Sequence, residues 1–215
     1  RSRGLGDVYK RQEIGSGTGF LTRPLLCTFH PEKLILNDIC HEMSTCFADL
    51  LSDRQVTFIP GDAEQLSFPS GQDLIVSCSA LQWFVSPEQF FKRCNALLSG
   101  HGYFAFSTFG KENLKEIAAV TGSGLHYYSL EELKKSLSMH YNIVTAGEER
   151  IRLTFATPLD VLYHLKHTGV TAVCRQAWTK GDLQEFCDKY AKLFSCGNAV
   201  TLTYHPLYII ARKKP

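Results

Sequence analysis

In Glu13-Ile14-Gly15-Ser16-Gly17-Thr18-Gly19, the types and spacing of the residues most plainly carry chemistry. Glycines at alternate positions let a backbone turn tightly and approach a ligand closely. The following residues lead toward a helix, whose unpaired N–H groups favour negative charge. A pyrophosphate-binding turn would space its glycines G-x-G-x-x-G. Here the spacing is G-x-G-x-G, and Glu13 puts a carboxylate where a phosphate would be repelled. An acid at that place suits a cationic ligand.

More acids follow at regular intervals. Asp38 closes the strand candidate Leu34-Ile35-Leu36, about 20 residues past the loop, where a carboxylate can accept both hydroxyls of a ribose. Asp62 follows Val56-Thr57-Phe58-Ile59, within Gly61-Asp62-Ala63-Glu64, and can meet an adenine amino group. Asp73 opens a fourth strand, Asp73–Cys78. Singly, each reads as a solvated loop carboxylate or helix cap. Together they read as acids at three successive strand ends, on the face of the sheet where ligands bind.

The elements that must position these residues alternate. The strand candidates are little interrupted by polar residues, as expected when both faces of a sheet are covered. A helix is predicted from about His41 to Leu51. Ser86-Pro87-Glu88-Gln89 combines an N-cap, Pro at N1 and a capping-box Gln; Gly100 stops that helix, and Tyr103–Phe106 is the next strand. Pro24 requires the first helix to begin late, near Arg23. This rhythm predicts a parallel α/β sheet. Further on, Ser129-x-x-Glu132, Thr157-Pro158-x-Asp160 and Thr179-x-x-Asp182 each open a helix, a strand lies near Tyr141–Val144, and the last strand runs from about Val200 to Ala211, interrupted by Pro206. The helical stretch of about 155–198 before that strand is too long for a linker and reads as a lid or specificity element.

Residues 13–110 resemble the class I S-adenosylmethionine-dependent methyltransferases throughout. The resemblance implies a Rossmann-like α/β fold, with a mostly parallel seven-stranded sheet, an antiparallel last strand and a helical lid inserted before it. It implies that Glu13, Gly15, Ser16 and Gly17 surround the methionine part of S-adenosylmethionine. Asp38 would hold the ribose with Ile39 packing near the adenine, Asp62 and Ala63 would address the adenine, and Ser79 would lie beside the cofactor. Several stretches are similar to a narrower family, the malonyl-acyl-carrier-protein O-methyltransferases of biotin synthesis. These are Ser79-Ala80-Leu81-Gln82-Trp83, Ser107–Gly110 with Asn113–Glu116, Tyr128–Leu133, His164–Thr171 and Leu202–Tyr208. That likeness implies methylation of the free carboxylate of a malonyl thioester on an acyl-carrier protein. A related methyltransferase for another small acid or a quinone precursor stays open, as does a non-catalytic domain that binds the cofactor or a partner.

Such a carboxylate is already ionised at pH 7, so no catalytic base is expected. Lys166, His167, Tyr204, His205 and Trp83 are the candidates for orienting it, and Lys166, Arg175 and Lys180 for docking an acidic carrier. His164 and His167 stand at i, i+3 without a carboxylate partner, so no metal is expected.

Composition excludes other classes. The 215 residues are 44% hydrophobic and 20% charged, ordinary globular usage, and no apolar run is long enough to span a bilayer. A cytoplasmic enzyme with eight reduced cysteines is the expectation. The net charge of +2 rests on residues 1–12, which hold four basic residues and one acid; the rest sums to −1. Nucleic acid and membrane are not expected as partners. Residues 1–12 also read as a non-native stretch joined to a methyltransferase domain of 13–215, because Lys10, Arg11 and Gln12 are polar where a buried first strand is needed.

Overall fold

The computed structural model describes residues 10–168 and 178–215, which form two units. The first runs through Thr108 and takes up Leu130–Gly147 and Leu207–Pro215. Its seven strands are β1 (Lys10–Ile14), β2 (Lys33–Asp38), β3 (Val56–Pro60), β4 (Gln72–Cys78), β5 (Leu98–Phe109), β6 (Tyr141–Glu148) and a last strand at Pro206–Lys213. The order is β3-β2-β1-β4-β5-last-β6. Pairings among β1 to β5 are parallel and the last strand is antiparallel, the Rossmann-like architecture expected. Helices α1 (Thr22–Thr28), α2 (Pro87–Leu97) and α4 (Leu130–Leu137) belong to this unit. Pro24 sits in the first turn of α1, where a missing N–H costs nothing. The helix expected from about His41 to Leu51 is a 3-10 helix over His41–Phe47. Ser86 caps α2 by position only, since its side chain makes no capping bond.

The exclusion of residues 10–12 from the fold is corrected. Lys10, Arg11 and Gln12 are three of the five residues of β1, which lies between β2 and β4. Backbone pairing admits any side chain; the polar groups bear the cost. Gln12 is fully buried with neither amide atom hydrogen-bonded, beside Ile35 and Ile75 in register. Arg11 is buried with its guanidinium 4.3 Å from the centre of the Phe29 ring, and its Nε has no partner. Burial lowers its pKa, which Asp73 partly offsets.

The second unit comprises Phe109–Ser129 and Glu148–Pro206. It holds α3 (Lys115–Thr121), α5 (Pro158–His167) and α6 (Lys180–Phe194), with β7 (Ile151–Phe155), β8 (Ser195–Cys196) and β9 (Ala199–Tyr204). The three strands form an antiparallel sheet ordered β7-β9-β8. Thr157 and Thr179 cap α5 and α6 with complete capping boxes closed by Asp160 and Asp182. Leu114, Ile117, Val161, Leu165, Phe186, Tyr190, Val200 and Leu202 form this unit's core. Two expectations change here. The single last strand is two strands in different sheets, divided at His205, so the final one is β10. The stretch read as helical also contributes β8, with β7 just ahead of it. Arg175 lies outside the described residues.

Candidate functional site

The first unit places the glycine loop, Asp38 and Asp62 at one end of its sheet, whereas Asp73, expected with them, lies at the opposite end, at the start of β4, where it accepts the Lys10 N–H. β1 delivers Glu13, which is 1% exposed and accepts a 2.6 Å hydrogen bond from the buried Thr22 hydroxyl. Burial raises the Glu13 pKa to about 7; the Thr22 bond lowers it in part, and nearby Asp38 adds to the rise. The backbone then turns through Gly15 at φ +71°. A side chain at Gly15 would put its Cβ 2.4 Å from that of Ala80, so the glycine is what lets the loop meet the turn after β4. The Ser16 hydroxyl is buried and unpaired.

Asp38 is fastened from two sides. One carboxylate oxygen accepts the Gly17 N–H at 2.8 Å, and the other accepts the Cys40 N–H at 2.9 Å. Each oxygen keeps a further lone pair for another donor. Ile39, next along, is 76% exposed, unusual for an isoleucine beside a buried strand end. The Asp38 carbonyl accepts the Gly61 N–H at 2.8 Å, tying the loop after β2 to the one after β3. There one oxygen of Asp62 accepts the Glu64 N–H at 2.8 Å, and Ala63 is buried. Ser79, beyond β4, is exposed and has φ +54°, a conformation non-glycine residues rarely hold; its N–H reaches the Ser107 carbonyl.

This donor set fits a cationic nucleoside. Among the described residues, the buried Glu13 carboxylate has a raised pKa and no cation among the groups that shift it, an unpaired hydroxyl follows it, and the oriented Asp38 carboxylate lies beside an exposed apolar side chain. Among the described residues no group of three or more His, Cys, Asp or Glu could hold a metal ion, and no helix is long and apolar enough to cross a membrane.

The substrate-orienting candidates are divided between the two units. Trp83 belongs to the first unit and is 45% exposed. In the second unit, Lys166 and His167 are exposed at the end of α5. His205 is buried and engaged at both ring nitrogens. Its Nδ1 accepts the Glu112 N–H at 3.1 Å, and its Nε2 therefore carries the proton facing Glu148 at 3.1 Å. Its backbone N–H donates to Asn113 and its carbonyl accepts from Gly110. That hydrogen-bonding role tells against His205 as a substrate ligand. Tyr204 is half-buried, with its hydroxyl 3.0 Å from Nε2 of His164, a residue the sequence reading weighed only as a metal ligand. Their separation by 40 positions hides the pair from any local pattern.

Comparison with known proteins agrees with this geometry. Residues 12–106 match the family model described as "Methyltransferase domain". A solved methyltransferase structure from Bacillus halodurans, described as putative in its own name, superposes with a TM-score of 0.70 at 16% identity, covering 98% of this chain and 96% of that one. The fold and site define an S-adenosylmethionine-dependent methyltransferase. The malonyl-[acyl-carrier protein] O-methyltransferase of Bacteroides thetaiotaomicron is 56% identical over 212 residues, 94% of this chain and 81% of that protein. A Bacteroides fragilis protein of the same name is also 56% identical, but this chain spans only 41% of its length. The chain belongs to the malonyl-[acyl-carrier protein] O-methyltransferase family.

Proposed function

We propose that this chain methylates the free carboxylate of a malonyl thioester carried on an acyl-carrier protein, giving the methyl ester used in biotin (pimeloyl) synthesis. The observation that carries the reading is the 56% identity to the thetaiotaomicron enzyme over 94% of the chain. When bound, S-adenosylmethionine supplies a methyl group activated by a positively charged sulfur.

Glu13 would face the cationic methionine portion, and its ionisation on binding follows from gaining the positive partner it lacks. Ser16 would supply a hydroxyl beside it, while the backbone at Gly15 and Gly17 leaves room. Asp38, already oriented by two N–H groups, would accept ribose hydroxyls through its remaining lone pairs. Ile39 would cover an adenine face, Asp62 and Ala63 its edge, and Ser79 would lie alongside. The acceptor carboxylate is ionised at neutral pH, so the chain need only orient it and keep water away. Lys166 and Lys180 would offer cationic docking points to an acidic carrier, and the segment 155–198 would set substrate specificity.

The test is mass spectrometry of malonyl-carrier protein after incubation with S-adenosylmethionine. A gain of one methylene in mass, on the malonyl group alone, is expected. Modification of free malonate but not of the carrier-bound acid would overturn the substrate assignment. Calorimetry should show binding of S-adenosylhomocysteine and none of NAD.

A further inference from the structure

Ser79 lies between β4 and the short 3-10 helix Leu81–Trp83, with φ at +54°. In that left-handed region the Cβ of an L-residue crowds the following carbonyl, a cost that glycine does not carry. A residue persists there only where its surroundings over-determine it. Both backbone polar groups of Ser79 are used. Its N–H donates to the Ser107 carbonyl at 3.0 Å, and its carbonyl accepts Nε2 of Gln82.

The Gln82 amide is fixed in turn at its other end, where Oε1 accepts the hydroxyl of buried Thr108 at 3.3 Å. Ser107 and Thr108 are neighbours on β5, so one strand grips the turn from both sides and Gln82 closes the ring. Water could take over the bond to the Ser79 carbonyl, but it would transmit no geometry from β5. The residue after Ser79 shows what the turn is for. Ala80 stands where a Cβ at Gly15 would meet its own at 2.4 Å, so the Ser79 turn is the wall on which the glycine loop is seated. All of these residues belong to the first unit.

We propose that Gln82 is a positioning residue for the cofactor. By holding Ser79 left-handed it keeps Ala80 against Gly15 and the glycine loop shaped for S-adenosylmethionine, acting through the turn rather than on the ligand. This rests on the reading of the glycine loop as the cofactor site. The test is a double-mutant cycle of wild type, Gln82→Leu, Ser79→Gly and the double variant, each titrated with S-adenosylhomocysteine by calorimetry. Without Gln82 the serine relaxes, and binding must restore the strained turn. Gln82→Leu should therefore weaken affinity about 5- to 30-fold, the order of cost carried by one left-handed residue. Glycine holds the same φ at little cost, so in the Ser79→Gly background the same change should stay within about twofold, the usual error of additivity. Thr108→Val, which keeps the shape and removes the hydroxyl, should weaken binding less than Gln82→Leu does. Urea unfolding of the four proteins separates this role from a merely structural one, in which Gln82→Leu would lower stability and leave affinity alone. Equal affinity in wild type and Gln82→Leu, or the same fold-loss in both backgrounds, would overturn the positioning role. Wild-type protein that bound no S-adenosylhomocysteine would instead overturn the reading of the glycine loop, and this role with it.

Discussion

Replacing Glu13 by glutamine should change how the stability of the unliganded protein depends on pH. Glu13 titrates at about 7 when folded and at 4.5 as an ordinary glutamate. Between those values the native protein keeps a proton that the unfolded chain has released. Stability is therefore greatest on the acid side of the window and falls as pH rises across it. At 1.36 kcal/mol per pH unit, a gap of about 2.5 units sets a ceiling of about 3.4 kcal/mol. Glu13→Gln carries no such proton and can still accept the Thr22 bond, so its curve lacks this term. Urea unfolding of both proteins from pH 4.5 to 8 gives the comparison, and the difference cancels titrations elsewhere. The variant should gain on the wild type by roughly 1.4 kcal/mol per unit through the window and level off above pH 7. The same proton should appear on binding: calorimetry in buffers of different ionisation enthalpy should show S-adenosylmethionine releasing nearly one proton at pH 6 and almost none at pH 8. Parallel stability curves would refute the reasoning, because Glu13 would then be ionised in the free protein.

Gln12→Leu should stabilise the fold by about 1–3 kcal/mol, seen as a raised urea midpoint, because it removes two unpaired buried atoms beside Ile35 and Ile75. Gly15→Ala should cost about 1–3 kcal/mol from backbone strain and also push the loop off Ala80, so both the melting temperature and S-adenosylhomocysteine affinity should fall. Asp38→Ala should weaken S-adenosylhomocysteine at least about tenfold by calorimetry, as removal of a charged hydrogen-bonding partner does. His205→Leu strands the Glu112 N–H and leaves Glu148 with Arg150 as its partner; it should lower stability by about 1–3 kcal/mol in denaturant titrations while leaving S-adenosylhomocysteine affinity unchanged.

Much of the first unit was legible because its signals are local. Asp38 and Asp62 end apolar runs whose type and length fix them as strands, and Pro24, Thr157 and Thr179 mark helix starts by chemistry confined to one turn. What was missed depends on distance. Arg11 and Gln12 looked unfit for a central strand, yet β2 and β4 pair with their backbone whatever their side chains are. Val200–Ala211 read as one strand because periodicity registers alternation and not which sheet each half joins; Pro206 was the available hint. His205 looked like a ligand by residue type, and only its folded partners, Glu112 and Glu148, reveal a saturated ring. His164 is hidden in the same way, since its hydrogen-bond partner is a tyrosine 40 positions away.

His205 bonds to Gly110, Glu112, Asn113 and Glu148, residues that follow closely on two of the points where the chain leaves one unit for the other. The backbone makes that passage four times, so neither unit is a continuous stretch of gene. Single-crossover recombination could not trade the second unit between relatives without severing this knot. Exchange of the second unit between relatives must carry both of its segments, 109–129 and 148–206, together.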